Sequence, residues 1–169
     1  AEDRLRIVGA MILADTPEAV ARAVEQLRGA QKADFGAILA AMDGRPVTVR
    51  LLDPPLHEFL PSVEELLVRR AAEGLTPEEA ELLVAAQAWR EQNPMLGTRG
   101  VRLGVLKPGL YAMQVRAVME AAVDRLAAGG KPKVEIMIPL TVTREELRLA
   151  RSWVEAAMAA VPGAGAKGM

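Results

Sequence analysis

Apolar residues return every three or four positions along most of this chain, the spacing of helices with one buried face. Val20, Val24 and Leu27, followed by Phe35, Ile38, Leu39 and Met42, predict a long helix; Thr16, Pro17 and Glu18 open it as N-cap, first-turn proline and first-turn acid. Three Ser/Thr residues stand three positions before a glutamate: Ser62 with Glu65, Thr76 with Glu79, and Thr143 with Glu146. Each pair predicts a capping box, and each opens an amphipathic run, over 63–73, 77–91 and 144–160. Gly74 falls where a glycine would close the first run. A further helix is predicted over 110–126, with Met113, Ala117, Val118, Ala121 and Ala122 on its apolar side. The run from Ile7 to Ala14 predicts a short buried helix.

Strand character lies between these helices. Residues 46–52 (PVTVRLL) are one strand. Residues 133–140 (KVEIMIPL) are another, apolar enough apart from Glu135 to be buried on both faces. A third is expected around 96–105. Strands separated by long amphipathic helices predict a helix-rich α/β fold with parallel strands and crossover helices. Three strands are few, and a closed eight-stranded barrel needs about 250 residues, so the chain reads as part of a larger unit. The ending VPGAGAKGM, residues 161–169, is expected to be a flexible tail after a domain over 1–160.

Charge and composition narrow the function. With 21 basic and 22 acidic side chains the formal net charge is −1, and aromatics make up only 3%, so no basic, aromatic-studded surface for nucleic acid is expected. The apolar run at 7–14 is far shorter than the roughly 20 residues that span a bilayer. No membrane role is expected, and the cytoplasm is the expected location. The absence of cysteine excludes disulfides, thiolate metal sites and thiol nucleophiles within these 169 residues. Neither a Walker-type phosphate loop, a GxGxxG, nor a serine-nucleophile elbow occurs.

The candidate chemistry lies at strand ends. Arg50 stands near the C-terminal end of the first strand, where parallel α/β proteins place their ligands. A guanidinium there suits a carboxylate or phosphate, gripped through two parallel hydrogen bonds. An ion pair with Asp53 is an equal alternative from position alone. The segment that follows is stiff and polar: Asp53, Pro54, Pro55, the single histidine His57, Glu58 and Pro61. Arg99 lies between Gly97 and Gly100, which leave room for a ligand to approach. If their strands are neighbours, Arg50 and Arg99 would form an anion clamp. His57, with no carboxylate or cysteine at ligand spacing, fits a hydrogen-bonded corner better than a catalyst. Glu135 would need a second acid to hold magnesium, so no metal site is expected within this chain.

Three stretches, AMDGRPVTVRLLDPPLHEFLP (41–61), NPMLGTRGVRLG (93–104) and VEIMIPL (134–140), resemble ordered segments of the pyruvate phosphate dikinase family. The opening MILADTP (11–17) resembles the stretch before them, and the likeness extends to about Ala160. The Asp-Pro-Pro-Leu-His-Glu-Phe run favours the dikinases over phosphoenolpyruvate synthase and enzyme I of the sugar phosphotransferase system. The resemblance implies the middle of a (β/α)8 TIM-type barrel that binds pyruvate or phosphoenolpyruvate. It implies a phosphohistidine on a separate domain, a nucleotide-binding domain, and substrate contacts from Arg50 and Arg99. Asp53, His57 and Thr98 would be supporting residues, Thr98 standing where the family usually has histidine. The family's magnesium ligands and proton-donating cysteine would lie outside this stretch. Mg²⁺ would thus serve the parent enzyme with no ligand from this chain, and the chain alone would not catalyse. A barrel cut at both ends is expected to self-associate through its open edges, as a homo-oligomer. The alternative is a truncated, non-catalytic remnant that acts as an oligomerisation or interaction module.

Overall fold

Capping side chains account for most of the helix starts in the structure, a computed structural model that describes residues 7–11, 14, 16–53, 60–88, 90, 93, 95–107 and 109–165. Residues 7–11 are helical, with Val8 and Met11 buried. The named elements follow as α1 (Pro17–Ala41), β1 (Pro46–Arg50), α2 (Val63–Ala72), α3 (Pro77–Ala88), α4 (Val101–Leu106), α5 (Leu110–Ala127), β2 (Lys133–Met137) and α6 (Arg144–Ala159). At α1, the Thr16 hydroxyl accepts the Ala19 N–H at 3.2 Å. Reciprocal capping boxes form at α3 and α6: Glu79 N–H donates to Thr76 Oγ1 and Thr76 N–H to Glu79. Thr143 and Glu146 repeat the exchange. At α2 Ser62 accepts the Glu65 N–H, but its own hydroxyl turns to Glu64. Gly74, at φ +84°, follows the last turn of α2 as the glycine that ends it.

The chain divides into two units, residues 1–23 with 54–99 and residues 24–53 with 100–169. In the first, α2 and α3 bury Val63, Leu66, Leu83 and Ala86 against one another, with Leu60 and Leu75 packed alongside.

The second unit holds the sheet. β1 and β2 pair in parallel, with Val47 opposite Val134, Thr48 opposite Glu135 and Arg50 opposite Met137. Just before the strands, Asp43 ties them together: its Oδ1 accepts the Lys131 N–H at 2.7 Å and Arg125 Nε–H at 3.0 Å. Those bonds, Arg125's foremost, hold the Asp43 carboxyl below its usual range. One sheet face packs on helices, Val47 and Val134 lying against Phe35 and Leu39 of α1 and Ala121 and Ala122 of α5. Alternation then puts Thr48, Arg50, Glu135 and Met137 on the opposite face, and all four are exposed. The expected burial of 133–140 on both faces is therefore corrected: β2 alternates.

The third expected strand is also corrected. Residues 101–106 form α4, whose buried Val101, Leu103 and Gly104 follow a helical rather than a two-residue period. Its packing explains the difference. A Cβ on Gly104 would stand 3.1 Å from the Tyr111 ring and 3.4 Å from Trp153, so the glycine admits two aromatic rings against the helix. The fold among the described residues is a helix-rich α/β arrangement around one parallel strand pair. Of the expected tail, residues 161–165 form turns in which Val161 and Ala164 are buried. Among the described residues no helix is long and apolar enough to cross a membrane.

Candidate functional site

Arg50 is the last residue of β1, and its side chain is 61% exposed on the face turned away from the helices. Three residues on, Asp53 is buried, and its Oδ2 lies 3.3 Å from Arg50 Nη1. The ion pair with Asp53 forms, yet it uses one edge of a guanidinium that carries five N–H donors. An arginine braced by a buried carboxylate and still mostly open to solvent can grip an anion through its remaining donors.

The backbone between those two residues is held from α5. Leu51 N–H extends the ladder to the Met137 carbonyl at 3.0 Å. At Leu52 the partners become side chains: Leu52 N–H donates to Gln114 Oε1 at 2.8 Å, and Tyr111 Oη–H donates to the Leu52 carbonyl at 3.0 Å. Burial, and then the nearby Asp53 charge, push the Tyr111 phenol well above its ordinary pKa, so it stays a proton donor at any physiological pH.

Gly100 closes the corner. It sits at φ +57°, ψ −135° ahead of α4, and a Cβ there would lie 2.9 Å from the Pro139 carbonyl oxygen and 3.1 Å from Asp53 Oδ1. The following residue, Val101, donates its N–H to that same Pro139 carbonyl. Leu140, next in the turn after β2, has a positive φ of 59°, which a branched side chain rarely accepts. Arg50, Asp53, Gly100 and the Pro139–Leu140 turn thus meet at the C-terminal end of the strand pair.

The other expected residues are distributed differently. Arg99 and Thr98 fall in the first unit, both half-buried. There Arg99 donates its backbone N–H to Gly97 and a guanidinium N–H to Met95 Sδ at 3.5 Å. His57 lies outside the described residues, as do Pro54, Pro55 and Glu58. Glu135, on the open sheet face, accepts a 2.6 Å hydrogen bond from Thr48 Oγ1. Magnesium requires several oxygen ligands, and no group of three or more His, Asp or Glu gathers among the described residues.

Sequence reasoning missed Tyr111 and Gln114. A signal was present for Gln114, a lone amide at helical spacing among Leu110, Ala117 and Ala121 on the buried side of α5. A buried polar side chain has to find a partner.

A strand-end arginine braced by a buried acid on a helix-backed parallel sheet has free donors with which to hold an anion. The chain belongs to the family described as PEP-utilising enzyme, PEP-binding domain, which matches residues 9–168. Among curated proteins it is 47% identical over 148 residues to pyruvate, phosphate dikinase 2 of Oryza sativa subsp. japonica, covering 86% of this chain and 17% of that protein. It is 44% identical over 163 residues to pyruvate, phosphate dikinase of Entamoeba histolytica, covering 92% of this chain and 18% of that protein. The chloroplastic dikinase of Flaveria pringlei is 47% identical over 148 residues, 87% of this chain and 16% of that protein. The chain therefore spans less than a fifth of the length of these relatives.

Proposed function

We propose that this chain supplies part of the phosphoenolpyruvate- and pyruvate-binding barrel of a pyruvate phosphate dikinase, and that Arg50 grips the substrate anion. The whole protein would convert pyruvate, ATP and phosphate to phosphoenolpyruvate, AMP and pyrophosphate. A phosphohistidine on another domain would pass its phosphoryl group to the enolate oxygen of pyruvate. The N–P bond breaks and the O–P bond forms, with the imidazole keeping the electron pair.

The observation that carries this reading is the position of Arg50: the C-terminal end of a parallel strand, on the sheet face away from the helices. A helix-backed, otherwise open strand pair is what one section of a (β/α)8 wall presents, and the open face would be the barrel interior. Thr48, Arg50, Glu135 and Met137 would then point inward. A planar fork already braced by Asp53 offsets the charge of a phosphate or carboxylate with little reorganisation. Arg99 is proposed as a second substrate-binding residue on the strength of the NPMLGTRG resemblance. Asp53, His57 and Thr98 are proposed in support, and the magnesium ligands of the whole protein are placed among residues other than those described. A cytoplasmic location rests on the sequence alone, since relatives such as that of Flaveria pringlei are chloroplastic.

The test is Arg50→Lys in the full-length protein that carries this domain. Lysine keeps the charge and loses the fork, so kcat/KM for pyruvate is expected to fall about a hundredfold. An unchanged kcat/KM in a folded variant would overturn the assignment.

A further inference from the structure

We infer that Tyr111 and Gln114 are positioning residues for substrate binding: by holding both backbone groups of Leu52, they set where Arg50 and Asp53 point. The inference rests on the proposed role of Arg50.

The two side chains are 1% and 4% exposed, three residues apart on α5, and so lie on one helix face. Each makes its hydrogen bond to Leu52, one to its N–H and one to its carbonyl. Any apolar pair could fill that part of the core. A phenol and an amide are needed only because the chain leaves the ladder after Leu51, where an unsatisfied backbone group would be costly. Leu52 lies two residues after Arg50 and immediately before Asp53, so fixing its peptide groups fixes the direction of the backbone between the two. Tyr111 is itself locked. Its ring meets Trp153 edge-on, with centroids 6.4 Å apart at 70°, and lies against Gly104. Holding a binding group to within about half an ångström is what such a supporting shell provides.

The experiment measures phosphoenolpyruvate affinity by titration calorimetry on the full-length protein, with four variants. Tyr111→Phe with Gln114→Met removes both hydrogen bonds and keeps shape, and is expected to weaken binding about tenfold. Tyr111→Phe alone, which deletes a single oxygen and keeps the ring contacts, is expected to weaken it about threefold and serves if the double variant does not fold. Leu66→Ala, a truncation in the α2–α3 cluster, which holds none of these groups, should lower thermal stability and leave affinity unchanged, which separates positioning from general loosening. Arg50→Ala is the reference. If Arg50→Ala loses affinity while Tyr111→Phe and the double variant keep it, the positioning role is overturned and Arg50 stands. If Arg50→Ala keeps its affinity, the proposed role of Arg50 falls first and this inference with it.

Discussion

Replacing Gly100 by alanine should be among the most damaging single-methyl additions in this protein. At φ +57° and ψ −135°, a region that side-chain-bearing residues rarely occupy, an L-residue carries a local conformational cost of about 1–3 kcal/mol. The added Cβ would also stand 2.9 Å from the Pro139 carbonyl oxygen, 3.0 Å from Leu140 Cβ and 3.1 Å from Asp53 Oδ1. None of these is the free end of a flexible chain. Pro139 O is backbone and already accepts the Val101 N–H at 3.1 Å. Leu140 is at positive φ and has little freedom left, while Asp53 is buried and paired with Arg50. Overpacking of this kind costs about 1–3 kcal/mol, so the sum is about 2–6 kcal/mol.

Gly29→Ala provides the control of opposite sign. Gly29 lies inside α1 with nothing within 4 Å of an added Cβ. There alanine should stabilise by about 0.5–1 kcal/mol. Urea unfolding followed by circular dichroism reads both, the slope being checked so that a midpoint shift reports stability. A Gly100→Ala variant within about 0.5 kcal/mol of the parent would show that the corner yields easily, and the account of a rigid strand-end site would fail.

Two further outcomes are expected. Backbone N–H groups, those of Thr143 and Thr76 foremost, hold Glu146 and Glu79 below the ordinary 4.5, so their contribution to stability is present above that value and lost as pH falls through the depressed folded values. Glu79→Gln with Glu146→Gln should flatten the decline of the urea midpoint as pH falls below the ordinary 4.5, and an unchanged acid slope would contradict the capping assignment. Arg99→Lys in the full-length protein should raise the dissociation constant for phosphoenolpyruvate by about tenfold while leaving the unfolding midpoint in place, as the loss of a planar fork predicts; calorimetric titration decides, and unchanged affinity removes Arg99 from the site.

What was legible in the sequence was local. Ser62, Thr76, Thr143 and Gly74 act within a few residues of themselves, and the helices they bound begin or end where the pattern puts them. The failures needed partners far along the chain. VRLGV alternates as a strand does, yet Gly104 is there to admit Tyr111 and Trp153, seven and 49 positions away, and the segment is helical. Likewise Leu52 is fixed by side chains 59 and 62 residues downstream. No periodicity reports such contacts. The strand-end position of Arg50 and its pairing with Asp53 were legible because both are local, whereas the burial of Asp53 had to be seen.

The reading of β2 was misplaced in a way that bears on function. Its apolar composition suggested burial on both faces, but Val134 and Ile136 turn toward the helices, while Glu135 and Met137 share the open face with Thr48 and Arg50. Thr48 and Glu135 satisfy each other across the strand pair one step before the Arg50 level. Left unpaired, a Glu135 carboxylate on the arginine's own face would compete for the guanidinium and repel an incoming anion. Bound to Thr48 through its Oε2, it has part of its acceptor capacity taken up by a neutral partner. The acid aligned with Arg50 is instead Asp53, buried at the strand end and 3.3 Å away. The open face therefore carries one guanidinium with a single ion-paired acid behind it, an arrangement suited to an anion arriving from the solvent side.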